Sequence, residues 1–133
     1  MLDTGPVVAY ARSRDVNHVW ARTQFSAARP PFLTCEAVIT EGVYLLAHYG
    51  ERPDIVWEFL RRGTLQISFD LAAEFESVAV LMRRYADLPM DLADACLVRM
   101  AELHRDCSVF TTDTHFRFYR RFGRHVIPLN CPV

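Results

Sequence analysis

The sequence predicts an α/β fold in which helices cover both faces of a mainly parallel sheet. Short apolar stretches typical of strands alternate along the chain with longer amphipathic stretches typical of helices, and this alternation is the pattern of parallel β-α-β units. Hydrophobic residues make up 51% of the chain and charged residues 23%, so both faces of a sheet can be buried. The length of 133 residues fits a single domain over residues 1–133.

The first half of the chain predicts a strand fragment, an extended segment and three helices. The segment MLDTGP begins as a strand and breaks at Gly5-Pro6. Residues 17–28 form a helix entered through Asn17, and RPPFLT is a loop that leads into a short extended segment. CEAVITEGVYLLAHYG is a helix that ends at Gly50, and PDIVWEFLRRG is a helix with proline at its start and glycine at its end.

The second half of the chain predicts three strands and two long helices. TLQISF alternates with the period of a strand, and DLAAEFESVAVLMRRYADL is an amphipathic helix entered through Asp70 and stopped by Pro89. MDLADACLVRMA begins a further helix that runs to about Arg105. CSVFTTD is a strand, THFRFYRRFG a short helix or turn, and HVIPL a final strand.

Two acidic residues follow predicted strands at their carboxyl ends. Asp3 follows the first strand fragment, and Asp113 follows SVFTT. Ligands of open parallel sheets bind outside the carboxyl ends of the strands, so this is where a functional site is expected. Aspartate is also common at strand exits and helix starts, so both could instead be turn residues, and Asp113 could cap the next helix.

Three more acidic residues belong to helices. The neighbours of Glu41 three and four positions away are all apolar or aromatic, which places its carboxylate on the face turned to the core, although it could also reach water from the helix edge. Asp94 has apolar neighbours at the same spacing, with Asp91 one turn before it. Asp91 lies in the first turn, where it could interact with the helix dipole, cap the helix or be a second-tier metal ligand.

A convergence of Asp3, Glu41, Asp94 and Asp113 would require a neutralising partner. Two carboxylates ~5 Å apart repel by roughly 3 kcal/mol at an effective dielectric constant of about 20. Several such pairs would cancel much of a domain stability that is on the order of 5–15 kcal/mol. Protons or a cation must offset this repulsion, and oxygen ligands select Mg²⁺ or Mn²⁺. Such an ion suits phosphodiester hydrolysis, because it activates a bound water and stabilises the leaving oxygen.

The basic residues are few and of one kind. The net charge is −1, and all 15 basic residues are arginine, so the whole molecule does not attract nucleic acid or membrane. The segment RFYRRFGRH, residues 117–125, contains the candidate substrate-binding residues Arg117, Arg120 and Arg121. Guanidinium groups bind phosphate and aromatic rings stack on unpaired bases. The alternative is an ordinary amphipathic helix with its aromatic residues in the core and its arginines in water.

Four motifs follow one another along the chain: LDTGPVVAY, TEGVYLL, MDLADA and TTDTHF. In this order they resemble the PIN-domain family, and within it the VapC-type toxins of toxin–antitoxin pairs. The resemblance runs from residue 2 to about residue 129, and it implies a three-layer α/β/α sandwich and a Mg²⁺- or Mn²⁺-dependent endoribonuclease. The residues that it assigns are Asp3, Glu41, Asp94 and Asp113 as catalytic and metal-binding acids, Asp91 as a further ligand, and Thr4 and Thr112 as supporting residues. It also implies an RNA substrate, a homodimer, and a small antitoxin whose C-terminal segment plugs the acidic site.

One departure from the family and two other functions stay open. Only Met1 and Leu2 precede Asp3, so either the central strand is truncated or the natural start lies upstream. A phosphotransfer domain with an aspartate nucleophile also places Asp at a strand end, but such families use a lysine and a second nearby acid that this chain lacks. A catalytically inactive PIN-fold module that binds RNA or protein is favoured by the short strand and disfavoured by the four acids.

The cysteines and the hydropathy predict the cellular setting. Four cysteines are present with no CxxC spacing, and no apolar run is long enough for a membrane span. No signal peptide is visible at the start of the sequence. We therefore expect reduced cysteines and a cytoplasmic protein that does not enter membranes.

Overall fold

The computed structural model describes residues 1–133, which form six helices and six short strands. In chain order these are α1 Thr4–Ala11, α2 His18–Ala27, β1 Phe32–Thr34, α3 Glu36–His48, α4 Asp54–Arg61, β2 Leu65–Ile67, α5 Leu71–Arg84, α6 Leu92–Leu103, β3 Val109–Phe110, a 3₁₀ turn Thr114–Arg117, β4 Arg120–Arg121, β5 His125–Val126 and β6 Leu129–Asn130. None of the helices combines the length and the hydrophobicity that crossing a membrane requires.

One residue, Leu2, joins the strands into a sheet. β1 pairs in parallel with β2, and β3 pairs in parallel with β6. The Leu2 N–H donates to the Leu33 carbonyl at 2.7 Å, and Leu2 forms a parallel bridge with Phe110. The order is therefore β2, β1, Leu2, β3 and β6, and the predicted mainly parallel sheet is confirmed. The short first strand is a single bridging residue.

The two faces of this sheet bury separate cores. Met1 and Val109 belong to a core shared with α5 and α6, whereas Leu2 and Phe110 belong to a core shared with α1 and α4. Successive side chains of a strand point to opposite faces, so two adjacent residues at the start of the chain serve both cores. The predicted α/β/α arrangement is confirmed.

Helix α1 differs from the prediction, because the Gly5-Pro6 pair indicates an interruption of regular secondary structure. The helix instead begins at Thr4, directly after Asp3, whose side chain accepts a hydrogen bond from the Thr4 N–H. Pro6 lies in the first turn, where a backbone N–H has no partner within the helix and its loss costs little. The predicted break is therefore wrong.

The segment after the 3₁₀ turn also differs from its prediction. β4 and β5 form an antiparallel hairpin in which Arg121 pairs with His125, where the sequence predicts a short helix or turn followed by one strand. The turn depends on two left-handed residues, Phe122 with φ 52° and Gly123 with φ 76°. A phenylalanine rarely adopts this conformation, so the sequence does not signal the hairpin. The helix predicted up to Pro89 ends earlier, at Arg84.

Gly5 allows the first turn of α1 to approach the segment after β3. A Cβ atom at Gly5 would lie 1.9 Å from the Thr112 Oγ1 atom and 3.2 Å from its Cβ atom. Rotation of the threonine side chain removes the first clash but leaves the second contact tight. This close approach holds the residues after Leu2 beside the residues after Phe110.

We expect Gly5→Ala to lower the free energy of unfolding by about 1–3 kcal/mol, because the added methyl group overpacks this contact. Gly42→Ala is the matched control, since its Cβ would meet only the Thr4 Cγ2 atom, at an ordinary 3.8 Å. Alanine in a helix interior normally stabilises by about 0.5–1 kcal/mol relative to glycine. Urea unfolding of both variants measures the difference, and a Gly5→Ala protein as stable as Gly42→Ala would contradict the close approach.

Candidate active site

The structure brings together all five acidic residues that the sequence singles out. Asp3 follows Leu2, Asp113 follows β3, Glu41 lies in α3, and α6 carries Asp91 and Asp94 at its start. Each of Asp3, Glu41 and Asp94 is close enough to other members for their charges to raise its pKa. We call these five residues the acidic cluster. Their catalytic and metal-binding roles remain predictions.

Asp3 is buried and both its oxygens are engaged. One oxygen accepts the Thr4 N–H at 2.7 Å, and the other accepts the Thr111 hydroxyl at 2.6 Å. Burial raises the pKa of Asp3 to about 6, against the two hydrogen bonds that lower it. The charges of Glu41 and Asp113 raise the pKa further. The carboxyl group is thus held in a fixed orientation in a site that disfavours its charged form.

Asp94 is buried near the start of α6. Burial raises its pKa to about 7, and the charges of Asp91 and Asp3 contribute in the same direction. The Tyr119 hydroxyl donates to the Asp94 carboxylate at 3.1 Å and lowers this pKa. Asp91 is exposed and caps the helix, because its side chain accepts the Asp94 N–H at 2.8 Å. The capping role considered for Asp91 is therefore present.

Glu41 lies at the edge of the cluster and is half-buried. Its carboxylate accepts the Thr4 hydroxyl at 3.0 Å. Burial is the largest cause of its raised pKa, and the charges of Asp91 and Asp113 raise the pKa further. The hydrogen bond from Thr4 acts in the opposite direction and lowers it. Thr4 thus contacts two members of the cluster, Asp3 through its backbone and Glu41 through its side chain.

Asp113 caps the 3₁₀ turn, in agreement with the alternative interpretation of the sequence. Its side chain accepts the His115 N–H at 2.8 Å, and the His115 ring nitrogen lies 2.9 Å from the same oxygen. The Asp113 N–H donates to the Thr111 hydroxyl at 2.9 Å. Thr111 therefore links Asp113 to Asp3.

Sequence reasoning misses two residues that hold the cluster, Thr111 and Tyr119. The sequence points to Thr112, but Thr112 packs against Gly5, and the buried Thr111 makes the hydrogen bonds instead. The sequence also groups Tyr119 with aromatic residues that could stack on bases. Tyr119 is fully buried and donates to Asp94, so that grouping is wrong for Tyr119.

The predicted substrate-binding arginines occupy different environments. Arg117 is exposed, whereas Arg120 donates to the backbone carbonyls of Arg117 and Tyr119. Arg121 donates to backbone carbonyls at the end of α6. The amphipathic helix considered for this segment does not form.

The acidic cluster fits a hard divalent cation by donor type and by charge. Carboxylate oxygens are the donors that Mg²⁺ and Mn²⁺ take. No group of three or more acidic, histidine or cysteine side chains lies close enough together to hold one ion directly. Mg²⁺ in proteins commonly keeps several waters and takes one or two carboxylates directly, so the wider spacing fits a hydrated ion.

The raised pKa values give stability a specific pH dependence. The folded protein binds protons at Asp3 and Asp94 more tightly than the unfolded chain, so their contribution to stability is lost as the pH rises from about 4 to about 7. We expect Asp94→Asn to escape the part of this loss that comes from Asp94. In metal-free buffer the melting temperature of the variant should rise relative to that of the wild type over this pH range. By pH 7 the difference in free energy of unfolding should reach a few kcal/mol, on the order of 1.4 kcal/mol for each unit of raised pKa. A constant difference, measured by circular dichroism, would contradict the raised pKa of Asp94.

Comparisons with known proteins agree with this architecture. The model of the family described as the PIN domain matches residues 1–121. Ribonuclease VapC26 of Mycobacterium tuberculosis (strain ATCC 25618 / H37Rv) is 26% identical over 126 residues, covering 92% of this chain and 93% of the relative. The residues matched by the family model include the whole acidic cluster. The chain belongs to the PIN domain family.

Proposed function

We propose that the chain is a metal-dependent endoribonuclease and the toxin of a type II toxin–antitoxin pair. The observation that carries the proposal is the acidic cluster, in which two buried carboxyl groups have pKa values of about 6 and about 7. A fold that places repelling carboxylates together, with only the His115 ring beside Asp113 as a basic partner, loses stability unless protons or a cation neutralise them. Membership of the PIN domain family and the name of the similar protein, Ribonuclease VapC26, support the same function.

The metal in this proposal is Mg²⁺ or Mn²⁺. The residues that would hold it, at most two of them directly and the others through bound water, are Asp3, Glu41, Asp91, Asp94 and Asp113. When bound, such an ion lowers the pKa of a coordinated water and stabilises charge on phosphate oxygens.

The residues around the cluster fix the direction of its carboxylates. Thr111 holds Asp3, Tyr119 holds Asp94, and Thr4 holds Glu41. Partners of this kind set the orientation and basicity of metal ligands, and their loss reduces metal affinity or activity by about 10–100-fold. Thr4 and Thr111 are therefore the supporting residues of the proposed site, with Thr112 setting the spacing to α1.

The proposed partners follow from the same cluster. The substrate is RNA. A small antitoxin would neutralise the carboxylates through arginine or lysine side chains of its own, in the place of the cation. We also propose that the toxin is a homodimer, as the resemblance to VapC-type toxins implies.

We expect the purified chain to cut total RNA into discrete fragments with Mg²⁺ or Mn²⁺ and not with EDTA. Asp94→Asn should lower the rate by more than about 100-fold, which exceeds the effect of losing a supporting partner alone. Asp87→Asn is the matched control, because Asp87 is exposed in the turn after α5 and should leave the rate unchanged. Gel analysis of the fragments measures both rates, and cleavage by Asp94→Asn at the wild-type rate would contradict the assignment.

A catalytically inactive PIN-fold binding module is the second candidate. The observation that favours it is the spacing of the acidic cluster, in which no three side chains meet closely enough to hold one ion directly. Such a module would retain RNA or a protein partner, cut nothing with either metal, and gain no thermal stability from Mg²⁺, whereas a metal site gains stability by mass action.

A further inference from the structure

A cleft lies at the opposite end of α6 from the acidic cluster. It is a cleft of about 350 Å³ lined by Arg105, Arg121, Phe122, Arg124 and His125. We call it the basic cleft. We propose that the basic cleft binds the phosphate backbone of single-stranded RNA. This inference rests on the proposed function, because it adds a second contact for the same substrate.

The cations of the basic cleft have no acidic partners. Arginines elsewhere in the chain form ion pairs, for example Arg62 with Glu58 and Arg99 with Glu74. Arg105, Arg121 and Arg124 form none, and no carboxylate lines the cleft. A concave site lined by cations without acidic partners attracts anions.

Glu102, which lies nearby on α6, is engaged elsewhere. Its carboxylate accepts hydrogen bonds from Arg99 and from the Phe122 N–H. The Glu102 carboxylate therefore forms its ion pair with Arg99 and not with a guanidinium group of the basic cleft.

The basic cleft is held in a fixed shape before any ligand binds. Arg121 donates from Nη1 to the carbonyls of Ala101 and Arg105, at 3.5 and 2.9 Å. The Arg105 guanidinium lies 4.9 Å from the centroid of the Phe122 ring. Less ordering is required when such side chains bind an anion.

The hairpin turn aims Phe122 at this site. Phe122 has φ 52°, a left-handed conformation that bulky residues rarely adopt, and its N–H is held by Glu102 at 2.7 Å. Residues kept in such conformations by their surroundings cluster at ligand-binding sites. Here the conformation places the Phe122 ring beside the Arg105 guanidinium group. An aromatic ring and a guanidinium plane can each stack on an unpaired base.

One segment leads from the acidic cluster to the basic cleft. It begins at Asp113, touches Asp94 through Tyr119, and reaches the end of α6 through Arg121. Arg117 and Phe118 are exposed on the way, as are Thr114 and His115. From Asp94 to the end of α6 is about 14 Å at a rise of about 1.5 Å per residue. A strand bound at both places would pass cationic and aromatic side chains.

The charge of the molecule explains why RNA needs this second contact. The net charge is −1 and the acidic cluster repels phosphate, so neither provides affinity for a polyanion. Affinity for RNA comes mainly from cations that neutralise backbone phosphates. The aromatic rings beside the arginines favour a nucleic acid over an acidic protein segment, because bases stack on them.

The test uses Asp94→Asn protein, which allows binding to be measured apart from cleavage. Fluorescence anisotropy gives the Kd for a labelled single-stranded RNA over a range of salt concentrations. The test variant adds Arg105→Gln and Arg124→Gln, and the control adds Arg14→Gln and Arg29→Gln, which remove the same charge at exposed positions outside the basic cleft. Melting temperatures report whether each variant is folded.

We expect the test variant to bind at least about tenfold more weakly, and its slope of log Kd against log salt to fall by about 0.7 for each phosphate that the protein no longer neutralises. The control should keep the parent slope and affinity. Equal weakening of both variants would overturn the proposal, since it would show only a general charge effect. Unchanged RNA affinity, with weakened binding of a polyglutamate peptide, would overturn it in favour of an acidic protein ligand.

The two proposals fail separately in this design. An Asp94→Asn protein that does not bind RNA at all overturns the basic cleft as an RNA site, while the cleavage of total RNA by the unmodified chain reports on the endoribonuclease. Cleavage that fails while the cleft variants lose RNA affinity leaves the basic cleft in place and removes the catalytic function.

Discussion

The burial of carboxyl groups close to one another is the constraint on which the rest of this structure depends. Burial and neighbouring charges raise the pKa of Asp94 to about 7, which measures how strongly the site disfavours its charged form. Such an arrangement costs stability, and a fold keeps it only where packing elsewhere offsets the cost. Here α6 supplies that packing, because its residues from Ala93 to Val98 are all buried. A helix that is anchored so completely can carry a destabilised carboxyl group at its start.

The position of the cluster depends on a sheet with a single residue at its centre. Leu2 is fully buried, donates its N–H to Leu33, and is bridged to Phe110 through the backbone hydrogen bonds of Met1 and Asp3, so Asp3 emerges between β1 and β3. The Thr111 hydroxyl then donates to Asp3 and so links it to the segment after β3. Gly5 allows the first turn of α1 to lie directly against Thr112 in the same segment. The two strands, α1 and α6 meet at the carboxyl edge of the sheet, which is the edge where parallel sheets bind ligands. Extended pairing of the central strand is not needed to place the carboxylates.

Periodicity predicts the layers of the fold and marks the individual acids, whereas the convergence of those acids is what the resemblance to the PIN-domain family implies. A carboxylate on the apolar face of a helix, such as Asp94, can be recognised from its neighbours in the sequence. The same holds for a carboxylate at the end of a strand, such as Asp3. The residues that hold them cannot be recognised in this way, since Thr111 and Tyr119 act through contacts between distant segments. The hairpin escapes prediction for a similar reason: Phe122 adopts a left-handed conformation, and its contacts are with Glu102 and Arg105 on a distant segment.

The charged form of the carboxyl groups in the acidic cluster should be disfavoured without metal and stabilised when a metal ion binds. The most direct measurement is an NMR titration of the side-chain carboxyl carbons of Asp3 and Asp94, with and without Mg²⁺. We expect pKa values near 6 and 7 in metal-free buffer, both falling when Mg²⁺ is added. Values near the ordinary 3.8 that do not change with Mg²⁺ would contradict a destabilised, metal-binding cluster.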